Sequence, residues 1–232
     1  MTLAQGLRTV AQNIPKIYMA GKSAGADNTP WWTDFVNACE KSGSWEQSLG
    51  GAGMTDKTFN PPIDIIPTVS ANSMFYKSGI EDLKGVIDAL GISFDLSKAT
   101  SANSTFSNAK VTRLPKIDLR NSSNVSNTFN NCKNLVSIDE FSVSRAVTNS
   151  FTACTSLKEI RIGDYLVASF NISDCVSLSA ESIDDIINHL GGTATSTLTL
   201  PSVAPTTYDA VYGAGSFEAR VNARPSNWTI AY

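Results

Sequence analysis

Asn127-Thr128-Phe129-Asn130-Asn131-Cys132-Lys133-Asn134-Leu135-Val136-Ser137-Ile138 and Asn149-Ser150-Phe151-Thr152-Ala153-Cys154-Thr155-Ser156-Leu157-Lys158-Glu159-Ile160 share one apolar skeleton at an offset of 22 residues. A third copy starts at Ser169-Phe170 and reaches Cys175-Val176-Ser177-Leu178. An earlier copy runs from Asn103-Ser104-Thr105-Phe106 through Val111 to Leu114 and Ile117, and a fainter one opens at Asn72-Ser73-Met74-Phe75. The common phrase is N-x-F-x-x-C-x-x-L-x-x-I. Its phenylalanines, Phe75, Phe106, Phe129, Phe151 and Phe170, are spaced 31, 23, 22 and 19 residues apart.

A period in the low twenties predicts about five degenerate repeats, each adding one short strand and one return segment to a stack that buries a continuous core. Leu157, Ile160 and Ile162 are expected to point inward from one strand, Leu135, Ile138 and Phe141 from the one below, and Leu114, Ile117 and Leu119 from the one below that. Phenylalanine and cysteine then fill the core from the return side. Cys132, Cys154 and Cys175 occupy one repeat position where the preceding copy has Ala109. A small, commonly buried residue at that place reads as a packing column and not as a disulfide set.

Outside the repeats, the chain divides into an N-terminal helix and capping or attachment region (1–70) and a C-terminal cap (179–232), with the repeats at 71–178. The class is α+β: a short leucine-rich-repeat solenoid between an N-terminal helix and an α+β cap. Leu3, Leu7, Val10, Ile14 and Ile17 follow steps of four and three, the a/d spacing of a helix that joins along one seam. Leu3, Leu7, Val10 and Ile14 are therefore the candidate oligomerisation residues. At the other end, Ser179 is read as opening a helix with Ile183, Ile186, Ile187 and Leu190 on one face and Gly191-Gly192 stopping it. Thr197 to Leu200 and Trp228 to Ile230 are read as strands flanking one helix around Thr207 to Ala223.

The residues that might carry chemistry favour plain structural readings. His189 is the single histidine, placed where a helix dipole favours a cation. Glu181, Asp184 and Asp185 fall in the first turns of the same helix, where the dipole favours acids. Gly50-Gly51-Ala52-Gly53 lacks the lysine and following Ser/Thr of a phosphate loop. Trp31, Trp32, Trp45 and Tyr76 offer aromatic faces for sugar stacking, although burial is the expected fate of tryptophans in a cap. No catalytic group, metal site or cofactor is expected, and no enzyme.

The surface with a functional argument is the solvent side of the repeat strands, because side chains alternate and the residues between core positions face out. Lys116, Asp118 and Arg120, then Asp139 with Ser137, then Lys158, Glu159 and Arg161 form the expected row for recognising a protein or a glycan. A formal net charge of −3 gives no reason to expect nucleic acid or an anionic membrane as partner. No apolar run approaches the ~20 residues that span a bilayer, so no membrane insertion is expected. Residues 1–16 lack a basic stretch followed by an apolar one, so no secretory signal is expected either.

The phrases Cys132-x-x-Leu135-x-x-Ile138 and Cys154-x-x-Leu157-x-x-Ile160-x-Ile162 resemble BspA-like leucine-rich repeats. The flanks, with Trp31-Trp32-x-x-Phe35, Thr58-Phe59-Asn60-Pro61-Pro62 and Arg224-Pro225-Ser226-Asn227-Trp228-Thr229-Ile230, resemble small repeat proteins encoded in phage and prophage structural modules. The resemblance implies a virion-associated protein of tail, baseplate or another component, made in the host cytoplasm and forming a homo-oligomer. Its implied partners are other virion proteins and a host-surface glycan or protein. The alternative it leaves open is a bacterial surface or secreted adhesion module with the same repeats.

Overall fold

A computed structural model of the chain describes residues 64–232 together with Trp45, Leu49, Gly50 and Thr55. Leu3, Leu7, Val10 and Ile14, the tryptophans Trp31 and Trp32, and Cys39 lie outside the described residues. The described part is mixed α and β, with four helices and two small parallel sheets, and neither sheet closes into a barrel.

The copies at Phe75, Phe106, Phe129 and Phe151 each form a compact return made of successive turns, whereas Phe170 begins a short strand. A residue at positive φ recurs in them: Ser73 and Lys77, Ser104 and Asn108, Asn127 and Asn131, and Ala153. Asparagine tolerates this left-handed region better than most residues, because its short amide can bond locally, which suits Asn108, Asn127 and Asn131 to their places. The turns aim N–H groups at the next pass of the chain. Phe75 N donates to Thr105 O at 2.7 Å, Phe106 N to Thr128 O at 2.8 Å, and Phe129 N to Ser150 O at 3.0 Å. Backbone groups that would otherwise be buried and unpaired are thus satisfied between passes. A buried hydroxyl just before the phenylalanine adds to this: Thr105 Oγ1 donates to Ala102 O and Ala71 O, and Thr128 Oγ1 to Val125 O and Ala102 O.

Opposite the returns lies the first sheet, β1 (Arg113–Asp118), β2 (Ser137–Ser142) and β3 (Glu159–Ile162), in that order and all parallel. Leu114, Ile138 and Ile160 are in register, as are Ile117, Phe141 and Ile162, with a shift between Ile138 and Phe141. Pro115 sits inside β1, tolerated because β1 is an edge of this sheet. Helix α1 (Leu83–Leu90) packs beside β1 and helix α2 (Ala180–Asn188) beside β3. Helix α1 was not foreseen. Asp82 caps it by accepting from Gly85 N, and Gly91, at φ 64°, ends it.

The second sheet joins β4 (Phe170–Asn171), β5 (Ser196–Thr199) and β6 (Trp228–Ala231), again parallel. Between β5 and β6 the single helix expected over Thr207 to Ala223 is instead two, α3 (Ala204–Tyr212) and α4 (Ser216–Asn222). Gly213 and Gly215, both at positive φ, break it.

The core runs along the passes. Ring centroids of Phe75 and Phe106 are 5.1 Å apart, those of Phe106 and Phe129 5.7 Å, of Phe129 and Phe151 4.9 Å, and of Phe151 and Phe170 5.6 Å. Beside them Cys132, Cys154 and Cys175 are buried free thiols. Cys132 Sγ donates to Phe106 O at 2.9 Å and Cys154 Sγ to Phe129 O at 3.1 Å. Burial pushes the Cys154 thiol up to about 12 and raises Cys132 and Cys175 as well, so all three stay protonated. Trp45 is fully buried, whereas Tyr76 is exposed with Lys77 Nζ 5.0 Å from its ring centre.

Candidate functional site

Strand β3 exposes alternate residues, Glu159 and Arg161, while Ile160 and Ile162 go inward. Its outer edge needs partners for its N–H groups, and α2 supplies them from side chains. Ile160 N donates to Ser182 Oγ at 3.0 Å, Ile162 N donates to Asp185 Oδ2 at 2.7 Å, and Ser179 N donates back to Lys158 O at 3.0 Å. Helix α2 starts where Ser179 Oγ accepts from Ser182 N at 3.2 Å, a serine N-cap. Glu181 lies in its first turn, and His189 is its C-cap, as the dipole reading expected.

The two elements enclose an open groove of about 740 Å³, lined among others by Asp139, Lys158, Glu159, Arg161, Glu181 and Asp185. Four carboxylates and two cations therefore share one trough. Asp139 is drawn off by Lys84, whose Nζ lies 3.1 Å from Asp139 Oδ2 and 2.8 Å from Asp88 Oδ2. Asp185 is committed to Ile162 N, and the imidazole Nδ1 of His189 lies 3.5 Å from Asp185 Oδ1 and 2.7 Å from Asp185 O. Lys158, Arg161, Glu159 and Glu181 form no ion pair among the described residues, which leaves two cations and two anions to face a ligand.

The expected row is thus only partly assembled. Asp139, Lys158, Glu159 and Arg161 meet at the groove, and Lys116 sits outside it, paired with Glu140 at 2.7 Å. Asp118 was expected to face solvent and is buried, at 4% exposure. Its strand ends in two consecutive buried residues, Ile117 and Asp118, and the neighbouring pair Phe141 and Ser142 does the same across the register. Arg120 covers the Asp118 carboxylate, with Nη2 2.7 Å from Oδ2. Burial raises the Asp118 pKa, but the Arg120 side-chain and backbone hydrogen bonds outweigh it and leave it lowered. Arg120 also reaches Asp164 at 2.8 Å, away from the groove.

What sequence reasoning missed is the second wall. Ser179, Glu181 and Asp185 read only as helix-start residues and Ser182 was not singled out, because nothing in the period announces that a helix takes the place of the next strand. Asp184, the remaining acid of that helix, is held in the cap. Tyr208 Oη donates to its Oδ1 at 2.7 Å, Arg220 Nε donates to the same oxygen at 2.7 Å, and Asn188 Nδ2 donates to Oδ2 at 2.8 Å. Burial raises its pKa, and these bonds reverse the sign and lower it.

Among the described residues no group of three or more His, Cys, Asp or Glu is placed to hold a metal ion, and no helix is long and apolar enough to cross a membrane. Comparison of the chain with protein-family models, with curated proteins and with solved structures gives no match.

Proposed function

We propose that this chain is a non-enzymatic virion component of phage or prophage type: a short leucine-rich-repeat solenoid of about five BspA-like coils that presents its strand face for recognition. The N-terminal region carries the attachment and self-association, with Leu3, Leu7, Val10 and Ile14 as the seam. The groove between β3 and α2 is the contact surface for another virion protein or for a glycan or protein of the host.

The observation that carries the reading is the column of Phe75, Phe106, Phe129 and Phe151, one from each of four successive copies, with Phe170 meeting Phe151 edge-on at its end. Residues that recur in the sequence recur in space, which is how a solenoid of leucine-rich repeats buries its core. The acids of α2 that a catalytic reading would use are engaged in holding the fold: Asp184 in the cap and Asp185 on the sheet edge. Exposed charges at the groove suit steering and register more than bulk affinity.

Light scattering on the full-length chain tests the assembly part. An oligomer that becomes monomeric in Leu7→Asp/Val10→Asp supports a displayed repeat domain on a self-associating stem. A monomer in both cases removes the virion argument and favours the adhesion-module alternative.

A further inference from the structure

We propose a second binding site, for a neutral pyranose sugar, in the hollow built around Tyr165. It lies on a different surface from the β3–α2 groove and stands whether or not the virion reading does. The hollow has a volume of about 440 Å³ and is lined by Arg120, Val143, Asp164, Tyr165, Val167 and the Gly191-Gly192 pair, among others. That is within the range of about 300–1,000 Å³ for ligand pockets, toward its small end.

Three features argue for a sugar. The first is an exposed aromatic face that the backbone is shaped to hold. Tyr165 is 61% exposed, and its ring lies against Gly191, where a Cβ would come within 2.9 Å of Tyr165 Cβ and 3.0 Å of Cγ and Cδ1. Gly192, at φ +75°, leaves room in the same way for Val167, to within 3.1 Å of its Cβ. Parallel bonds from Leu166 N to His189 O and from Gly191 N to Leu166 O fix the two segments together. Any side chain at Gly191 would displace the tyrosine. The wall is therefore preformed, with an apolar face of the kind that stacks on the C–H face of a pyranose.

The second feature is a fixed set of polar groups beside that face. Asp164 Oδ1 accepts from Tyr165 N at 2.8 Å and Asp164 Oδ2 accepts from Arg120 Nη1 at 2.8 Å. Arg120 is itself anchored on Asp118 through Nε and Nη2. A guanidinium has five N–H donors and a carboxylate about four acceptor positions, so both retain capacity for vicinal hydroxyls without having to be reoriented. Pre-oriented polar groups lower the ordering cost of binding.

The third feature is charge, which selects the class of sugar. Arg120 is flanked by two carboxylates, Asp118 and Asp164, so the polar side of the hollow carries a net negative charge. An anionic sugar would meet repulsion, and a neutral one would not.

The test is a glycan array probed with the full-length protein, followed by saturation-transfer NMR on the methyl glycosides of glucose, galactose, mannose and N-acetylglucosamine. At least one neutral pyranose should be retained, with the strongest saturation on its ring-face C–H protons. Tyr165→Ala, at an exposed position, should weaken binding at least tenfold without changing the unfolding midpoint, and Tyr165→Phe should keep it within about threefold. Gly191→Val should also abolish it; refolding of that variant is checked by circular dichroism, and the tyrosine variants decide alone if it fails. No neutral sugar bound, equal binding by Tyr165→Ala, or a preference for sialic or glucuronic acid would overturn the proposal.

Discussion

Phe129→Ala probes the stacked aromatic column at its middle. The ring is fully buried, stacked on Phe106 at 5.7 Å and Phe151 at 4.9 Å, and meets Phe141 edge-on at 5.9 Å. Transfer of a buried Phe side chain to water is worth about 1.5–3 kcal/mol. The cavity left behind adds to this, bringing truncation to about 3–5 kcal/mol. The site cannot collapse easily, because its neighbours are tied by bonds from Phe106 N to Thr128 O and from Phe129 N to Ser150 O. A value near the middle, about 4 kcal/mol, is therefore expected, a large part of the ~5–15 kcal/mol that stabilises a typical domain. The assay is urea unfolding of the full-length chain by far-UV circular dichroism, with the m-value compared between variants. Coupling separates a column from a set of independent buried rings. Phe129→Ala and Phe151→Ala together should deviate from additivity by about 1 kcal/mol, whereas Phe75→Ala and Phe151→Ala, three copies apart, should add within about 0.5 kcal/mol. A cost below about 1.5 kcal/mol for Phe129→Ala, or equal coupling in both pairs, would refute the account.

The buried thiols should resist alkylation in the native state: mass mapping at pH 8 is expected to find Cys132, Cys154 and Cys175 unlabelled until urea is added, and native labelling of Cys154 would contradict its burial. Asp118→Asn should cost about 1–2 kcal/mol at neutral pH through weakened bonds to Arg120. Because the folded Asp118 pKa is lowered, its contribution is complete above the ordinary value of 3.8 and is lost as pH falls through the folded value. The gap between wild type and variant should therefore close in acid, and a gap that widens would reverse the assignment. Asp185→Ala leaves Ile162 N without its acceptor and should cost about 1–2 kcal/mol in urea unfolding, while Asp185→Asn keeps an acceptor oxygen and should cost less; equal losses would show that the charge matters and the edge bond does not.

The column was legible because identical residue types recur at one place in a phrase: Phe129 and Phe151, Cys132 and Cys154. Pattern of that kind survives without any knowledge of geometry. Helix α1 was not legible by the same route, since the copy at Asn72 to Phe75 keeps the phenylalanine but not the rest of the phrase. Its own signals, Asp82 before the first turn and Gly91 after the last, are of the capping kind and independent of the repeat. Asp118 was misplaced because strict alternation was carried through a strand that does not keep it. Adjacent residues turn inward at the end of β1 and, in register with them, at the end of β2, where the pairing of β2 with β3 also shifts between Ile138 and Phe141. At the groove, Lys158, Glu159 and Arg161 were legible as the residues between the core positions Leu157, Ile160 and Ile162, whereas the opposite wall arrives some twenty residues later on an element of different period.

The way the first sheet ends bears on why the recognition surface proposed for it is a face and not an edge. A parallel sheet of three strands has two edges open to pairing with other chains; here the segment leading into α1 bridges to β1, and α2 itself flanks β3. At β1, Thr112 N donates to Glu81 O at 2.6 Å and Arg113 bonds the Asp82 carboxylate that also caps α1. At β3, Ser182 and Asp185 of α2 take the two outward N–H groups. A helix rises about 1.5 Å per residue and a strand about 3.3 Å, so helical side chains can follow a strand edge only briefly before falling out of step. The four-residue length of β3 is what such a partner can serve. The second sheet is closed differently: Asn227 O and Ala231 O accept from β5, so by alternation Trp228 O points away from it, and Arg224 Nε donates to that carbonyl at 2.7 Å. Arg224 thus caps one outward carbonyl of the second sheet from within the chain. The two binding surfaces proposed, the charged trough between β3 and α2 and the hollow at Tyr165, are accordingly built from side chains and not from backbone.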